Sequence, residues 1–356
     1  MNECFYELTP DQLTKWMAER GQPAYRARQV LAGIYQRGLS SFAEMTDLPA
    51  AVRAQLVEGF SLEPVAADAV SASADTTKLL LSMPGGGQVE CVRIAMDGAY
   101  TACVSSQVGC AVNCGFCATG QGGYERSLTP GEILAQVAAL NRLGTAARNV
   151  VFMGMGEPFH NYANVVTALR RMTAPEFFAL SPRRITVSTA GVVPAIHRYA
   201  EEGLPTELAV SLNGSTDEQR RQLMPGVARY SLSQLMEACQ HFSAAYHGRP
   251  VTFAYVLMDG VNDAFDDAER LGRLLKPQPH HLNVIPLNCV THTVLHAPAY
   301  PRVRAFVHAC RRYGLNVSLR QSKGGDIEAA CGQLRAERPA PRPRANKEAA
   351  RGKRSG

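Results

Sequence analysis

Short apolar runs rich in β-branched residues alternate with longer amphipathic runs from about residue 100 onward. The short runs predict strands, and the longer runs carry apolar residues at helical spacing. The predicted strands are TACVSS (101–106), NVVFMG (149–154), RITVST (184–189), ELAVSL (207–212), VTFAYVL (251–257) and LNVIPL (282–287). This alternation is typical of an α/β fold with a parallel sheet and right-handed crossovers. We predict a partial (β/α)6 TIM-like barrel.

The pattern before the barrel differs. Thr9-Pro10-Asp11 and Gln22-Pro23-Ala24 each open a helical pattern, which predicts a small helical domain over residues 1–65. TTKLLLSM and VECVRIAM flank the turn Pro84 to Gly87 and predict a β-hairpin link over residues 66–98. The barrel then occupies residues 99–334, with a possible edge strand NVSLR near its end, and residues 335–356 form a tail.

Composition narrows the class of protein. No apolar run approaches the roughly 18 to 20 residues that span a bilayer, and the first residues lack the features of a signal peptide. We therefore expect a cytoplasmic protein without a membrane segment, in which thiols stay reduced and clustered cysteines bind metal or carry out chemistry. Five of the ten cysteines stand singly and are expected to be buried and inert: Cys4, Cys91, Cys239, Cys289 and Cys310.

The positive charge of the chain is concentrated at its end. Residues 335–356 contain eight Lys or Arg and two Glu, which equals the net charge of +6 of the whole chain. Three prolines and almost no large apolar side chains predict a disordered tail. It is either an electrostatic arm for nucleic-acid phosphates or a solubilising extension. The basic residues of the N-terminal unit leave a similar choice between an RNA-facing side and a solvated face: Lys15, Arg20, Arg26, Arg28 and Arg37.

Three cysteines follow the first predicted barrel strand in the segment QVGCAVNCGFCATG. Cys110, Cys114 and Cys117 have the spacing Cys-x3-Cys-x2-Cys. Structural zinc normally takes four ligands in two spaced pairs, and the sequence has no second pair. Three thiolates on a 4Fe-4S cluster leave one iron free to bind the amino and carboxylate groups of a small molecule. The spacing, with Phe116 before the third cysteine, resembles the signature of the radical S-adenosylmethionine (SAM) superfamily.

A second segment, MGMGEP, runs from Met153 to Pro158 after a predicted strand. Its glycines allow the backbone to approach a ligand, and Glu157 is able to accept a hydrogen bond from an ammonium group. The segment resembles the methionine-binding glycine segment of the same superfamily. Taken alone, Gly-Glu-Pro is also an ordinary turn at the end of a strand.

Two further segments narrow the family. CVSSQVGC places Cys103 seven residues before the triplet, and DIEAACGQL places Cys331 just before the tail. Both resemble the RlmN/Cfr family of RNA adenine methyltransferases, and the resemblance extends from the N-terminal unit to Leu334. It implies methylation of an adenine ring carbon, first of all carbon 2 in 23S ribosomal RNA, with transfer RNA as a further substrate. The carbon-8 reaction of the Cfr type is the alternative.

The resemblance implies a role for each outlying residue. Cys331 takes a methyl group from one SAM and stores it as a thioether, and a second SAM, cleaved at the cluster, gives a radical that activates this methyl group for addition to adenine. Cys103 then releases the RNA by forming a transient disulfide with Cys331. Glu90 matches the family position for proton removal from adenine. The alternatives are an ordinary buried cysteine at position 103 and a solvated strand glutamate at position 90.

Residues at strand ends are implied to bind SAM, since parallel barrels carry their sites at the carboxyl ends of the strands. These residues are Gly156, Glu157, Ser188, Ser211, Leu212, Asn213 and Asn288. The implied partners are RNA and an electron donor such as flavodoxin, with the enzyme acting as a monomer. Three segments differ from the family pattern and leave the target carbon open: Ser211-Leu212-Asn213 for Ser-Leu-His, Leu287-Asn288-Cys289 for Trp-Asn-Pro, and Gln321-Ser322-Lys323-Gly324 for Lys-Thr-Arg-Gly.

Two other functions are compatible with the cysteine pattern. One is a radical enzyme that acts on a protein or a small molecule, with Cys103 and Cys331 as redox bystanders. The other is a non-catalytic iron-sulfur protein that binds RNA or acts as a sensor. A methyl group on Cys331 would distinguish the methyltransferase from both.

Overall fold

A computed structural model describes residues 2–62, 66–96, 98–290, 293–320 and 323–335, and for residues 66–69 it describes the backbone alone. The helices are α1 (Pro10–Ala18), α2 (Tyr25–Leu31), α3 (Ala50–Gly59), α4 (Ala118–Gln121), α5 (Pro130–Asn141), α6 (Tyr162–Thr173), α7 (Val193–Ala200), α8 (Asp217–Leu223), α9 (Leu232–Ala245), α10 (Phe265–Leu275) and α11 (Tyr300–Arg312). The strands are β1 (Glu3–Cys4), β2 (Phe60–Ser61), β3 (Ala66–Ala72), β4 (Thr76–Ser82), β5 (Gln88–Met96), β6 (Ala99–Cys103), β7 (Gln107–Gly109), β8 (Tyr124–Ser127), β9 (Asn149–Phe152), β10 (Ile185–Thr189), β11 (Glu207–Ser211), β12 (Val251–Leu257), β13 (His280–Pro286) and β14 (Val317–Leu319).

A ten-stranded sheet organises the molecule. Its strand order is β14-β13-β12-β11-β10-β9-β6-β5-β4-β3, and the strands from β14 to β6 are parallel to their neighbours. All six predicted strands are present, and the predicted edge segment forms β14, so the parallel part has seven strands. The predicted α/β fold is confirmed. Because parallel strands end at the same edge of a sheet, the loops after β6 and β9–β13 meet there.

The antiparallel strands β3, β4 and β5 extend the same sheet beyond β6. The hairpin predicted over residues 66–98 is formed by β4 and β5, which join the sheet directly. In this register Lys78 lies opposite Val92, and Val92 lies opposite Cys103. Since residues two apart share a face of a strand, Lys78, Glu90 and Cys103 belong to one face of the sheet.

The N-terminal unit packs against the parallel part through charged and aromatic contacts. Glu7 accepts hydrogen bonds from the Thr129 hydroxyl and from the Gly131 N–H at the start of α5. Tyr35 packs edge-on against Phe177 and Phe178, with ring centroids 4.8 and 5.1 Å away. These contacts fix the unit on the parallel part of the molecule.

Part of the basic side of this unit has internal partners. Arg26 donates to the Asp47 carbonyl, and Arg37 forms an ion pair with the Asp47 carboxylate at 3.2 Å. Arg20 stacks over the Trp16 ring at 3.8 Å. These three arginines therefore stabilise the unit itself, whatever else they contact.

Other sequence expectations have mixed outcomes. Residues 336–356 of the predicted tail lie outside the described residues. Within the described ranges, no helix is both long and apolar enough to cross a membrane.

The five single cysteines differ in exposure. Cys91, Cys239 and Cys310 are buried as predicted, whereas Cys289 is exposed and Cys4 is half-buried. The prediction for Cys289 is wrong because the loop after β13 turns this residue toward the surface.

A buried carboxylate holds the strand β8 against the helix α5. Glu132 accepts two hydrogen bonds from the Arg126 guanidinium, at 2.7 and 2.8 Å, and others from the N–H groups of Gly85 and Thr129. Burial opposes the charge, but the Arg126 guanidinium and the N–H donors outweigh it and hold the pKa of Glu132 below its usual value.

We expect Glu132→Gln to lower the free energy of unfolding by about 2 kcal/mol at pH 7, since hydrogen bonds to a buried charge are lost. The folded-state pKa of Glu132 is depressed, so this stabilisation is present above the unfolded pKa and disappears as the pH falls through the folded one. Urea unfolding of the full-length protein at several pH values measures it. The exposed neighbour Glu125, changed to Gln, is the control; equal effects of the two changes would contradict the assignment.

Candidate active site

The loop that carries the cysteine triplet lies between β7 and β8, at the carboxyl end of β6. The Cys110 N–H donates to the Gly123 carbonyl at 2.7 Å, and the Cys117 N–H donates to the Cys114 carbonyl at 3.1 Å. The Gly115 N–H binds the Leu223 carbonyl at the end of α8, 3.1 Å away. The loop is thus fixed at both ends and in its middle.

All three cysteines of the triplet line one cavity of about 180 Å³. Burial raises the pKa of Cys110 to about 12 and that of Cys114 well above its usual value. Without a cation the Cys110 and Cys114 thiols are therefore protonated, and a bound metal has to displace these two protons. Three thiol ligands in one cavity are the donor set that a 4Fe-4S cluster with one open iron requires.

Two buried polar atoms beside this loop lack hydrogen-bond partners among the described residues, namely the Ser106 hydroxyl and the Arg220 Nε. Arg220 is almost fully buried, and its other nitrogens donate to the carbonyls of Ala190, Ser211 and Leu212. Burial lowers its pKa to about 10, while the nearby Cys114 favours its charge. A buried cation next to a thiolate ligand fits a negatively charged centre in the loop.

Among the parts of the chain that are described, no three Cys, His, Asp or Glu side chains are arranged to hold a single metal ion. That finding concerns single ions. A four-iron cluster is held by thiolates spread around a larger body.

The MGMGEP segment lines the same cavity, with Gly156 and Glu157 at its wall. Gly156 has φ +98°, and a Cβ there would lie 2.7 Å from the Gln107 nitrogen. The glycine is thus required by a close approach of two protein segments, in addition to any approach to a ligand. Glu157 is fully buried; its carboxylate accepts from the N–H groups of Phe159 (3.0 Å) and Ala190 (2.7 Å). Burial raises the pKa of Glu157.

The structure brings most of the predicted strand-end residues to this cavity. Ser188, Ser211, Asn213 and Asn288 line it. Leu212 does not belong to this lining, and its side chain is fully buried in the core. Asn213 has a left-handed backbone (φ +53°), and its side-chain oxygen accepts from the N–H of Val256 at 2.8 Å. A short amide side chain tolerates this conformation.

A C-terminal segment, residues 328–335, lies over the loop that carries the cysteine triplet. The Ala118 N–H donates to the Gly332 carbonyl at 2.8 Å, and the Thr119 hydroxyl donates to the Leu334 carbonyl at 2.5 Å. The Asn288 amide donates to the Cys331 carbonyl at 2.9 Å. These contacts place Cys331 in the wall of the cavity that contains the triplet, although it is far away in sequence.

A second cavity, of about 340 Å³, adjoins the first. Cys103 and Cys331 both line it, and Arg320 and Cys331 line both cavities. Burial raises the pKa of Cys103 to about 12; the nearby Cys331 adds to this shift, and the Arg320 charge opposes it. The two predicted partner thiols therefore meet in one space. Cys103 is buried, and its side chain borders this cavity.

Glu90 is buried, which contradicts the alternative of a solvated strand glutamate. Its carboxylate forms an ion pair with Lys78 (Oε1 to Nζ, 2.8 Å) and accepts from the Arg335 N–H (Oε2, 2.8 Å). It shares a face of the sheet with Cys103.

Sequence reasoning missed three charged residues near the site, namely Lys78, Arg220 and Arg320. Only Lys78 had a signal in the sequence, because a lysine in the middle of the apolar strand TTKLLLSM indicates a buried charge that needs a partner.

Comparisons with known proteins agree with this geometry. Residues 5–62 match the model of the ribosomal RNA large subunit methyltransferase N-terminal domain, and residues 104–272 match that of the radical SAM superfamily. A protein from Moorella thermoacetica named "Probable dual-specificity RNA methyltransferase RlmN" is 44% identical over 339 residues, 92% of this chain and 96% of that protein. "Dual-specificity RNA methyltransferase RlmN" from an Anaeromyxobacter species is 44% identical over 353 residues, 94% and 93% of the two chains. A crystal structure described as a radical SAM methyltransferase from Sphaerobacter thermophilus has a TM-score of 0.90 and 41% identity, and covers 94% of this chain and 100% of that one.

The fold, the cysteine loop and these matches together define an enzyme of the radical SAM superfamily, a class that uses SAM and a 4Fe-4S cluster. Within this class the chain belongs to the RlmN family. The resemblance seen in the sequence is confirmed.

We expect Cys110→Ala, Cys114→Ala and Cys117→Ala each to retain under about a tenth of the wild-type iron after anaerobic reconstitution, because a cluster held by three thiolates does not tolerate the loss of one. Iron content and visible absorbance measure it. Cys289→Ala, at the exposed cysteine outside both cavities, is the control and should load normally. A Cys114→Ala protein with full iron content would contradict the ligand set.

Proposed function

We propose that this enzyme methylates an adenine ring carbon in RNA by way of a methyl group carried on Cys331. The target is carbon 2 of an adenine in 23S ribosomal RNA, and a transfer RNA is the second substrate. The observation that carries the proposal is the position of Cys331, which lines both the cavity of the cysteine triplet and the cavity of Cys103. The family model for ribosomal RNA methyltransferases and the "dual-specificity" relatives support the choice of RNA.

In this proposal, one set of residues in the first cavity binds the cluster and a second set binds SAM. Cys110, Cys114 and Cys117 hold one 4Fe-4S cluster, and Gly156, Glu157, Ser188, Ser211, Asn213 and Asn288 surround SAM; Leu212 contributes its backbone. When bound, the cluster supplies the electron that cleaves SAM to a 5'-deoxyadenosyl radical. An electron donor such as flavodoxin provides this electron in the cytoplasm, and the enzyme acts as a monomer.

Cys331 performs the first half of the reaction. An adenine ring carbon has no lone pair for a direct attack on a methyl sulfonium, so the methyl group has to be carried and activated. The Cys331 sulfur displaces the methyl group of one SAM and keeps it as a thioether. A hydrogen atom leaves this methyl group for the radical derived from a second SAM, and the remaining methylene radical adds to the ring carbon.

Glu90 and Cys103 carry out the second half of the reaction, in which the methylated RNA is released. Glu90 accepts the proton of the adenine carbon, and the Cys103 sulfur attacks the Cys331 sulfur, which breaks the bond to the methylene group and forms a disulfide. The Cys103 thiol proton ends on the product methyl group, and the cluster, when bound, would accept the one electron that leaves the adduct. A cellular dithiol then reduces the disulfide and restores both thiols for the next turnover. Two SAM molecules are thus used per methyl group delivered. The Cys103 thiol is protonated at rest, since burial raises its pKa.

Intact-mass measurement of the enzyme purified from cells should detect one added methyl group on Cys331. Cys331→Ala should lack it and should abolish methylation of its RNA targets. Mass mapping of adenines in ribosomal and transfer RNA, from cells with and without the enzyme, identifies the RNA and separates 2-methyladenine from 8-methyladenine. An unmethylated Cys331 in active, cluster-loaded protein would refute the proposal, and loss of 8-methyladenine would favour the Cfr-type reaction.

Cys103→Ala should leave RNA covalently attached to Cys331, because the thiol that breaks the link is missing. Denaturing gels of labelled RNA with the purified variant measure this adduct. Cys91→Ala is the matched control, since Cys91 is also buried in the neighbouring strand and borders neither cavity. Recovery of free RNA alone from an otherwise active Cys103→Ala enzyme would argue against the resolving role.

A further inference from the structure

Lys78 and Glu90 form an ion pair inside the antiparallel part of the sheet. Lys78 is on β4 and Glu90 on the adjacent β5, where the register sets them diagonally on one face. Their side chains are 8% and 2% exposed, and Nζ lies 2.8 Å from Oε1. Removing two charges from water is costly, and a pair of well-packed apolar residues would stabilise the fold at least as well. Stability alone therefore gives no reason for this pair.

The ion pair lies beneath the C-terminal segment of residues 328–335. Lys78 Nζ donates to the Glu328 carbonyl at 3.1 Å, three residues before Cys331. At the other end of the segment, the Arg335 N–H donates to Glu90 Oε2 at 2.8 Å. Lys78 thus contacts both the carboxylate and the segment that carries the methyl-accepting cysteine.

The two partners of Glu90 differ in kind. Lys78 is fixed in a strand and carries a full positive charge. Arg335 contributes a backbone N–H from the end of the described segment, a contact that can be exchanged when another group arrives. The Glu90 carboxylate is therefore oriented by one permanent contact at Oε1 and one exchangeable contact at Oε2. Lys78 is the cation in contact with it.

We propose that Lys78 is a positioning residue for the reaction on RNA: through its ion pair it orients Glu90 and holds it against the segment that carries Cys331, ready to accept the adenine proton. This inference rests on the proposed function, in which Glu90 is the proton acceptor. Arg335 covers the free side of the carboxylate until the RNA adduct forms.

The test is Lys78→Met in the full-length, cluster-loaded enzyme, with an RNA transcript whose adenines carry either hydrogen or deuterium at the reacting carbon. Methylation of Cys331 does not need Glu90, so it should stay within about twofold of wild type. Methylation of RNA should fall on the order of 100-fold, the usual contribution of a general base. The deuterium isotope effect should rise, because proton removal becomes rate-limiting. A merely structural role would not change the isotope effect.

A double-mutant cycle gives an independent readout. If Lys78 acts through Glu90, the Lys78→Met/Glu90→Gln enzyme should be no slower than Glu90→Gln alone. The double variant also leaves no unpaired buried charge, so it tests the proposal even if Lys78→Met folds poorly. Lys78→Arg, which keeps the charge, should recover most of the RNA methylation.

Asp75→Asn is the matched control. Asp75 is near the start of β4, is half-exposed, and pairs with Lys323 of the same C-terminal region at 3.1 Å, without contact to Glu90. The RNA methylation rate and the isotope effect of the Asp75→Asn enzyme should equal those of wild type.

Two results would overturn the role of Lys78 while wild type remains active: a Lys78→Met enzyme with equal losses of Cys331 and RNA methylation and an unchanged isotope effect, or additive losses in the cycle. Wild-type enzyme that methylates neither Cys331 nor RNA would instead overturn the proposed function, and this inference with it.

Discussion

The site depends on a short stretch of backbone whose polar groups are bound by distant elements. Residues 328–335 have little regular structure, and buried carbonyl groups need partners. Ala118 and Thr119 bind the carbonyls of Gly332 and Leu334, Asn288 binds that of Cys331, and Lys78 binds that of Glu328. These donors come from three separate parts of the fold: the start of α4, the loop after β13, and β4. If the segment were released, Cys331 would leave both cavities and the cysteine loop would lose one of its supports.

The ten-stranded sheet explains why these donors converge. Its parallel strands direct their following loops to one edge, where the cysteine loop, the MGMGEP segment and the loop after β13 meet. The antiparallel strands β4 and β5 then add a side wall with a polar face. The parallel part of the sheet carries the cysteine loop and the cavity beside it, and the antiparallel part carries Lys78 and Glu90. Both parts belong to one continuous sheet.

Much of this could be predicted from the sequence, because the signals are local. The parallel strands are short apolar runs between turns, and the spacing of Cys110, Cys114 and Cys117 lies within eight residues. The Lys78–Glu90 pair was missed because it depends on the register between two strands. The exposure of Cys289 was missed for a related reason: its surroundings are set by the loop and by Gln333, whose side chain donates to its carbonyl from 44 residues away. The role of Gly156 as a spacer against Gln107 depends on a contact of the same distant kind.

Five residues line both cavities and so form the boundary between them: Met153, Asn283, Arg320, Cys331 and Leu334. In the proposed function, the thioether on Cys331 belongs to this boundary. Rotation about its χ1 bond moves the terminal carbon between staggered positions. In the proposed function, delivery of the methyl group from one cavity to the other is then a change of rotamer rather than a movement of domains.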